Sequence, residues 1–221
     1  MRPFRPFLPI VLCLLLQACE REIPPAGTSV TVSGYQIEGY VLDALGNPVR
    51  GLPIAVYYNY DLVDTGPPPP KDYLPADPNK IVRVTVYDRY NAPVLTLFQD
   101  RPPDTGPMDI TWNQRDAGGN PISSGVYTVQ YIVDGRTQLS YPVVVSGNVV
   151  AQTDTTGHYV IRDKYLPVGF YPVPLYSADN STYLGNWQIS ADIVLGLRLQ
   201  PTRYWSVVIT ENEITEFDIR L

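Results

Sequence analysis

Turn-forming residues recur so often in this 221-residue chain that they leave room for little except short strands. Proline occurs 23 times and glycine 16 times, and each proline removes an amide donor and interrupts a helix. Between the turns, apolar residues alternate with other residues, as at Leu52, Ile54, Val56 and Tyr58 and at Val82, Val84 and Val86. A period of two is typical of half-buried strands. The sequence therefore predicts an all-β protein.

The composition narrows the classes of function. Hydrophobic residues make up 44% of the chain, including 17 tyrosines, which is enough to bury a core. The formal net charge of −6 argues against nucleic acid as a partner. One histidine and two cysteines leave little for a metal site or a nucleophile, and the acidic residues are scattered singly at turns. We therefore expect no catalytic residue, no metal, no cofactor and no enzymatic activity.

The N-terminus has the pattern of a secretory signal. Arg2 and Arg5 precede an apolar stretch at 7–16, and this stretch is too short for a membrane span, which needs about 20 residues. Residues 1–18 are therefore predicted to be a signal peptide. An ordinary signal peptide followed by a chance cysteine remains an alternative to the lipidation signal described next.

The residues Leu16-Gln17-Ala18-Cys19 resemble the bacterial lipobox. The resemblance implies that the chain is cut before Cys19 and that this cysteine carries lipid, with two or more acyl chains (palmitate among them) giving stable anchoring. Glu20, where a retained lipoprotein has Asp, implies the outer membrane by analogy with enterobacterial sorting, on its periplasmic or surface face. Residues 19–34 are then the lipidated N-terminus and its tether.

Two separated stretches, 35–63 and 147–221, carry the motifs of one known domain. The matching residues are Gly39, Val41, Asp43, Gly46, Pro48, Gly51 and Val56, and then Thr153, Asp154, Gly157, Tyr159, Leu166, Pro167, Gly169 and Tyr171. They resemble the carboxypeptidase regulatory-like domain, a small transthyretin-type β-sandwich. The resemblance implies a hairpin at 153–161 and a closing hairpin made by 205–210 and 214–221. The stretch 177–201 fits less well and is predicted to be an elaborated loop with an extra strand near 193–199.

A Pro-rich linker at 64–79 leads into a block at 80–146 that separates the two stretches. Alternating residues predict strands that include Val84 and Val86, then Met108, Ile110 and Trp112, and then Tyr127, Val129, Tyr131 and Val133. The motifs Val84-x-Val86-Tyr87-Asp88, Trp112, Asp116-x-x-Gly119-x-Pro121 and Ser124-Gly125-Val126-Tyr127 resemble the Ig-like domain of the flagellar hook-capping (FlgD-type) family. The block departs from that family at Asn91-Ala92-Pro93, where a glycine-containing turn is usual. The predicted architecture is two β-sandwich domains, the Ig-like one inserted into the other.

Individual residues with possible chemistry have structural interpretations as well. Asp43 and Asp154 are expected to form hydrogen bonds with the turn backbone. A role for Asp154 as a calcium ligand is the more specific alternative. His158 is expected to be structural or incidental. Tyrosine and tryptophan crowd the final third of the chain, where they either fill half-buried sheet faces or form a platform for sugars or a protein. If a platform exists, Tyr183, Trp187 and Trp205 are predicted to form it.

Two functions from different classes follow. The first is a non-enzymatic, lipid-anchored envelope protein whose β-sandwich modules serve as protein-interaction or spacer domains. The second is a carbohydrate- or peptidoglycan-binding lipoprotein that uses the aromatic surface. The predicted partners are the membrane, through lipid on Cys19, and an envelope protein or a glycan.

Overall fold

A computed structural model describes residues 33–67, 74–171, 173–179 and 181–221. In these ranges the protein is all-β, as predicted, and its one helical element is a 3-10 turn at Asp163–Tyr165. The strands are β1 (Gln36–Leu42), β2 (Pro53–Asp64), β3 (Leu74–Pro75), β4 (Val82–Asp88), β5 (Pro93–Asp100), β6 (Pro107–Met108), β7 (Gly125–Val133), β8 (Arg136–Val145), β9 (Asn148–Gln152), β10 (His158–Arg162), β11 (Val173–Tyr176), β12 (Tyr183–Leu197), β13 (Arg203–Val208), β14 (Ile214–Glu216) and β15 (Ile219–Arg220).

Two of the sheets pack face to face as a β-sandwich. In the first sheet β1 is central, antiparallel to β10 and parallel to β14 and β15. In the second sheet β12 is central, with β2 on one side and β11 and β13 on the other, and β9 lies beyond β2. The buried side chains of the two sheets form one hydrophobic cluster, which includes Ile37, Ile161, Ile54, Ile193 and Leu195. Burial of this cluster is the main force that holds the sheets together.

The third sheet has the order β5-β4-β7-β8 and a core of its own. Val82, Val84 and Val86 on β4 face Val129 and Tyr131 on β7, as the period-two pattern predicted. Trp112 and the short β3–β6 ladder also contribute, since Leu74 and Met108 pack against this core. The strand predicted through Met108, Ile110 and Trp112 is wrong beyond Met108. There the amide of Ile110 donates to the Tyr131 hydroxyl (3.0 Å) instead of joining a ladder.

The strands pair in two separate groups along the chain. Strands between 36 and 64 pair with strands between 148 and 220, whereas the strands of the third sheet, between 82 and 145, pair with one another. The two cores nevertheless meet, because Val126 and Val144 of the third sheet pack against the core of the sandwich. Residues 1–32, which include the predicted signal peptide and Cys19, lie outside the described ranges, as do 68–73 of the predicted linker.

Both predicted hairpins of the sandwich are wrong. The turn at Asp154–Gly157 forms, but β9 before it pairs with β2 and β10 after it pairs with β1, in different sheets. At the end of the chain, β13 pairs with β12, whereas β14 and β15 pair with β1. The chain crosses from one sheet to the other at each of these places, and the buried residues Thr153 and Ile209 lie at the crossings.

The stretch 177–201 is also not a loop with one added strand. Residues 183–197 form β12, the central strand of the second sheet, with Ile189, Ile193, Leu195 and Leu197 fully buried. A register irregularity between Ile189 and Ile193 interrupts the pairing of β12 with β2. Apolar residues nevertheless keep a period of two at Trp187, Ile189, Ala191, Ile193, Leu195 and Leu197. The first half of the strand was missed because the stretch was interpreted from its poor fit to the resembled domain.

Candidate functional site

Exposed apolar side chains gather at one end of the second sheet, where β2, β11 and β12 extend past the buried Ile189. Of the twelve large apolar side chains that are exposed among the described residues, five lie here: Leu62, Val63, Tyr171, Tyr176 and Leu184, each 43–49% exposed. We call this region the sheet tip and define it as 61–64, 173–176 and 183–187, with Tyr171 beside it. Large exposed apolar surfaces of this kind mark sites of interaction.

A hydrogen-bonded carboxylate organises the polar side of the sheet tip. Asp64 accepts from the Tyr171 hydroxyl (2.9 Å), the Asn186 side-chain amide (3.0 Å) and the amide of Gly66 (3.0 Å). These three bonds lower the pKa of the Asp64 carboxyl, so the group is ionised at neutral pH. The same bond to Asp64 raises the pKa of Tyr171. The sheet tip therefore carries a fixed negative charge among tyrosine rings.

Two polar atoms of the sheet tip have no hydrogen-bond partner among the described residues. They are the hydroxyl oxygen of Tyr183 and the side-chain oxygen of Asn186, and both are shielded from solvent. The ring of Tyr183 lies against that of Tyr176, with the ring centroids 5.5 Å apart. Shielding of the Tyr183 hydroxyl and the nearby charge of Asp64 raise the pKa of Tyr183.

The structure brings together two of the three predicted platform residues. Tyr183 and Trp187 both lie in the sheet tip, where Trp187 pairs with Leu62 on β2 and with Val173 on β11. Trp205, on β13, instead pairs with Leu195 on β12 and packs against the sandwich core. In the sequence Trp205 lies at the start of the predicted closing hairpin, just after the stretch 177–201 that was predicted to be a loop.

A second aromatic pair, Tyr57 and Tyr204, was not singled out by the sequence. Tyr204 is 57% exposed, and its ring meets that of Tyr57 edge-on with centroids 5.4 Å apart. Gly147 and Gly196 flank the Tyr57 ring so closely that a Cβ on either would lie 2.6 Å from it. Since these residues come from four separate stretches of chain, only the pairing of β2, β12 and β13 reveals the pair.

Asp154 and His158 have the structural roles expected of them. The Asp154 carboxylate accepts from the amide and hydroxyl of Thr156 (2.8 and 2.7 Å) and from the amide of His158 (3.0 Å), as a turn-forming aspartate does. The His158 ring packs against Tyr40, with centroids 5.0 Å apart. No group of three or more His, Cys, Asp or Glu side chains that could hold a metal occurs among the residues described.

The comparisons with known proteins found no relatives. No protein-family model matches the chain, and neither the curated proteins nor the solved structures contain a match. The resemblances drawn from the motifs therefore stay predictions. In the part of the chain that the structure describes, no helix is long and apolar enough to cross a membrane.

Proposed function

We propose that this protein is a non-enzymatic binding protein of the bacterial envelope, anchored by lipid on Cys19, whose β-sandwich modules serve as interaction or spacer domains. The observation that carries the proposal is the sheet tip. It extends past the core, exposes five large apolar side chains and holds an ionised carboxylate among them. Exposed Tyr and apolar residues next to fixed polar groups are typical of protein contact surfaces.

The domain arrangement that accompanies this proposal is an Ig-like, FlgD-type domain inserted into a carboxypeptidase regulatory-like domain. Two observations support it: the strands of the third sheet pair only with one another among the described residues, and the flanking stretches pair across them. An inserted domain would act as a spacer or a second contact module at a set distance from the sheet tip.

A photo-crosslinking amino acid at Leu184 tests the contact surface. Leu184 lies in the sheet tip and is 46% exposed, whereas Leu45 lies in the turn after β1, is 88% exposed and serves as the control position. In cells we expect a discrete adduct from position 184 and none from position 45. Adducts from both positions, or from neither, would contradict a contact surface at the sheet tip.

The anchor is tested separately with Cys19→Ser. Because the sulfur of Cys19 would carry the lipid, the variant is expected to move from the membrane fraction to the soluble fraction. A variant that stays in the membrane fraction would contradict lipid anchoring at this residue.

Glycan binding is the second candidate, and the Tyr57–Tyr204 pair is the observation that favours it. The pair presents an exposed ring on the outer face of the second sheet. Polysaccharide pull-down with the full chain tests this candidate, with Tyr204→Ala expected to abolish retention. Trp205→Ala is a poor probe of the same idea, because Trp205 packs against the core.

A further inference from the structure

The sheet tip is acidic as well as apolar. The two longer stretches of sequence that contain it, 51–70 and 165–197, have four aspartates and no lysine or arginine. Asp61 and Asp64 lie at the end of β2, and Asp179 lies in the turn that joins β11 to β12. Asp61 and Asp179 are exposed. Hydrogen bonds from the side chains of Ser177 and Ser181 and from the Ser181 amide lower the pKa of Asp179 to about 2.

Aromatic rings lie near one of these carboxylates, that of Asp64. Tyr171 is bonded to Asp64 through its hydroxyl, and Tyr176 is 43% exposed beside Tyr183. A guanidinium group stacks on such rings and pairs with a carboxylate at the same time. The exposed side chains of Leu62 and Leu184 add apolar surface, which apolar residues on either side of the guanidinium-bearing residue would contact.

We propose that the sheet tip binds a basic segment of a partner protein, one that carries Arg or Lys between apolar residues. This inference rests on the proposed function of the same surface and adds the chemistry of the partner. Charge complementarity favours a cationic protein segment over a neutral glycan, because the carboxylates of Asp61, Asp64 and Asp179 attract a cation and not a neutral sugar. Complementary charge also speeds the encounter of the two proteins.

Binding of two labelled peptides to the full chain in zwitterionic detergent tests the inference. The peptides have the same length of about twelve residues and consist of Arg-Leu-Gly or Glu-Leu-Gly repeats, and a labelled peptidoglycan oligosaccharide is the third probe. Fluorescence anisotropy at low and high salt is the measurement, because exposed charges are screened within about 10 Å at 0.1 M salt. We expect the Arg peptide alone to bind, and its affinity to fall as salt rises.

Matched variants separate the sheet tip from the overall negative charge. Asp61→Asn with Asp179→Asn removes one charge from the sheet tip and one from the turn between β11 and β12 beside it, and Asp104→Asn with Glu213→Gln removes two exposed charges elsewhere. The first pair is expected to weaken binding of the Arg peptide about fivefold, as two exposed ion pairs would. The second pair is expected to change it less than about twofold. Tyr176→Leu tests in the same assay whether the ring of Tyr176 contributes to the affinity for the Arg peptide. Tyr204→Leu is its control.

Three outcomes would overturn the inference: equal loss of affinity in both charge variants, equal binding of the Glu peptide, or binding of the oligosaccharide in place of the Arg peptide. Each of these leaves the proposed contact surface standing if position 184 still forms its adduct in cells. Absence of that adduct contradicts the proposed function itself, so the two failures are distinguishable.

Discussion

Single aspartates organise four turns of this protein in the same way. Each carboxylate accepts the amides of the residues two and four positions further on, and the residue three positions on has a positive φ. The four aspartates are Asp43, Asp88, Asp116 and Asp154, and the residues with positive φ are Gly46, Asn91, Gly119 and Gly157. At Asn91 an asparagine takes the position that glycine holds elsewhere, since asparagine tolerates the left-handed region.

These turns predict a dependence of stability on pH. Hydrogen bonds from Asn47, Asn120 and Thr156 lower the pKa values of Asp43, Asp116 and Asp154 below the ordinary 3.8. A carboxyl with a lowered pKa in the folded state stabilises it fully above the unfolded-state value, and the stabilisation is lost as pH falls through the folded-state pKa. We therefore expect the denaturant midpoint to fall as the pH is lowered from about 5 to 2.

Carboxyl carbon shifts followed by NMR measure the pKa of each group directly. All three groups are expected to titrate below 3.8. Asp116→Asn removes one of the titrating groups and is expected to reduce the slope of stability against pH. A titration at or above the ordinary value would show that the turn bonds do not persist in solution.

At the scale of the element, β12 determines where the sheet tip lies. The strand has 15 residues and shifts register twice against β2, between Asn186 and Trp187 and between Ile189 and Ile193. Gly185 lies next to the first shift with φ +115, and a Cβ there would lie 2.7 Å from the carbonyl oxygen of Asp64 and 2.8 Å from Leu62. The close approach of β2 to β12 therefore requires glycine at this position.

Gly185→Ala is expected to separate the end of β2 from β12 without unfolding the sandwich. The backbone oxygen of Asp64 must move, and the φ is strained for any other residue, so the cost is about 1–3 kcal/mol of local stability. Amide exchange measured by NMR should show faster exchange at 61–64 and 186–188 and little change at 193–197. Leu184→Ala, a neighbouring exposed change, is the control and should leave exchange in both places close to the wild-type rates. Wild-type exchange rates at 61–64 and 186–188 in the Gly185 variant would mean that the two strands accommodate the alanine without a loss of local stability.

At the scale of the whole molecule, polar contacts join the third sheet to the sandwich, one set buried and one exposed. The fully buried Ser124 has its hydroxyl 2.8 Å from the carbonyl oxygen of Val56 and accepts the amide of Asn148 (2.8 Å). On the other side, Arg89 lies 3.3 Å from the carboxylate of Asp163 and donates to its carbonyl oxygen. The Ser124 contacts hold the first half of β2 and the start of β9 against the start of β7, and the Arg89 contacts hold the residue after β4 against the 3-10 turn.

Ser124→Ala tests how much that junction contributes. The change leaves the Asn148 amide without its acceptor in a buried place, so the free energy of unfolding should fall by about 1–3 kcal/mol. Denaturant unfolding of the full chain is the measurement. Ser206→Ala, on the exposed face of β13, is the control and should change stability by less than about 0.5 kcal/mol. A loss no larger than that of the control would show that the junction contributes little.

Local pattern was enough to predict the strands whose residues alternate regularly. β1, β4 and β7 and the Asp turns were predicted correctly, because period two and turn chemistry are properties of neighbouring residues. The family resemblances, the lipid anchor and the function remain predictions. Within the candidate site, Tyr183 and Trp187 were proposed from the sequence only because tyrosine and tryptophan are frequent in the final third of the chain.

Only the tertiary structure decided which strands share a sheet and what surrounds each aromatic ring. From the sequence, only the second half of β12 was predicted to be a strand, and hairpins were assigned to 153–161 and 205–221. Trp205 was treated as a surface residue. Which strands share a sheet depends on contacts between distant residues. Pairing partners such as Asp64 and Asn186, or Gln36 and Ile214, are far apart along the chain, so their contact depends on the path of the chain between the sheets and not on the residues beside them.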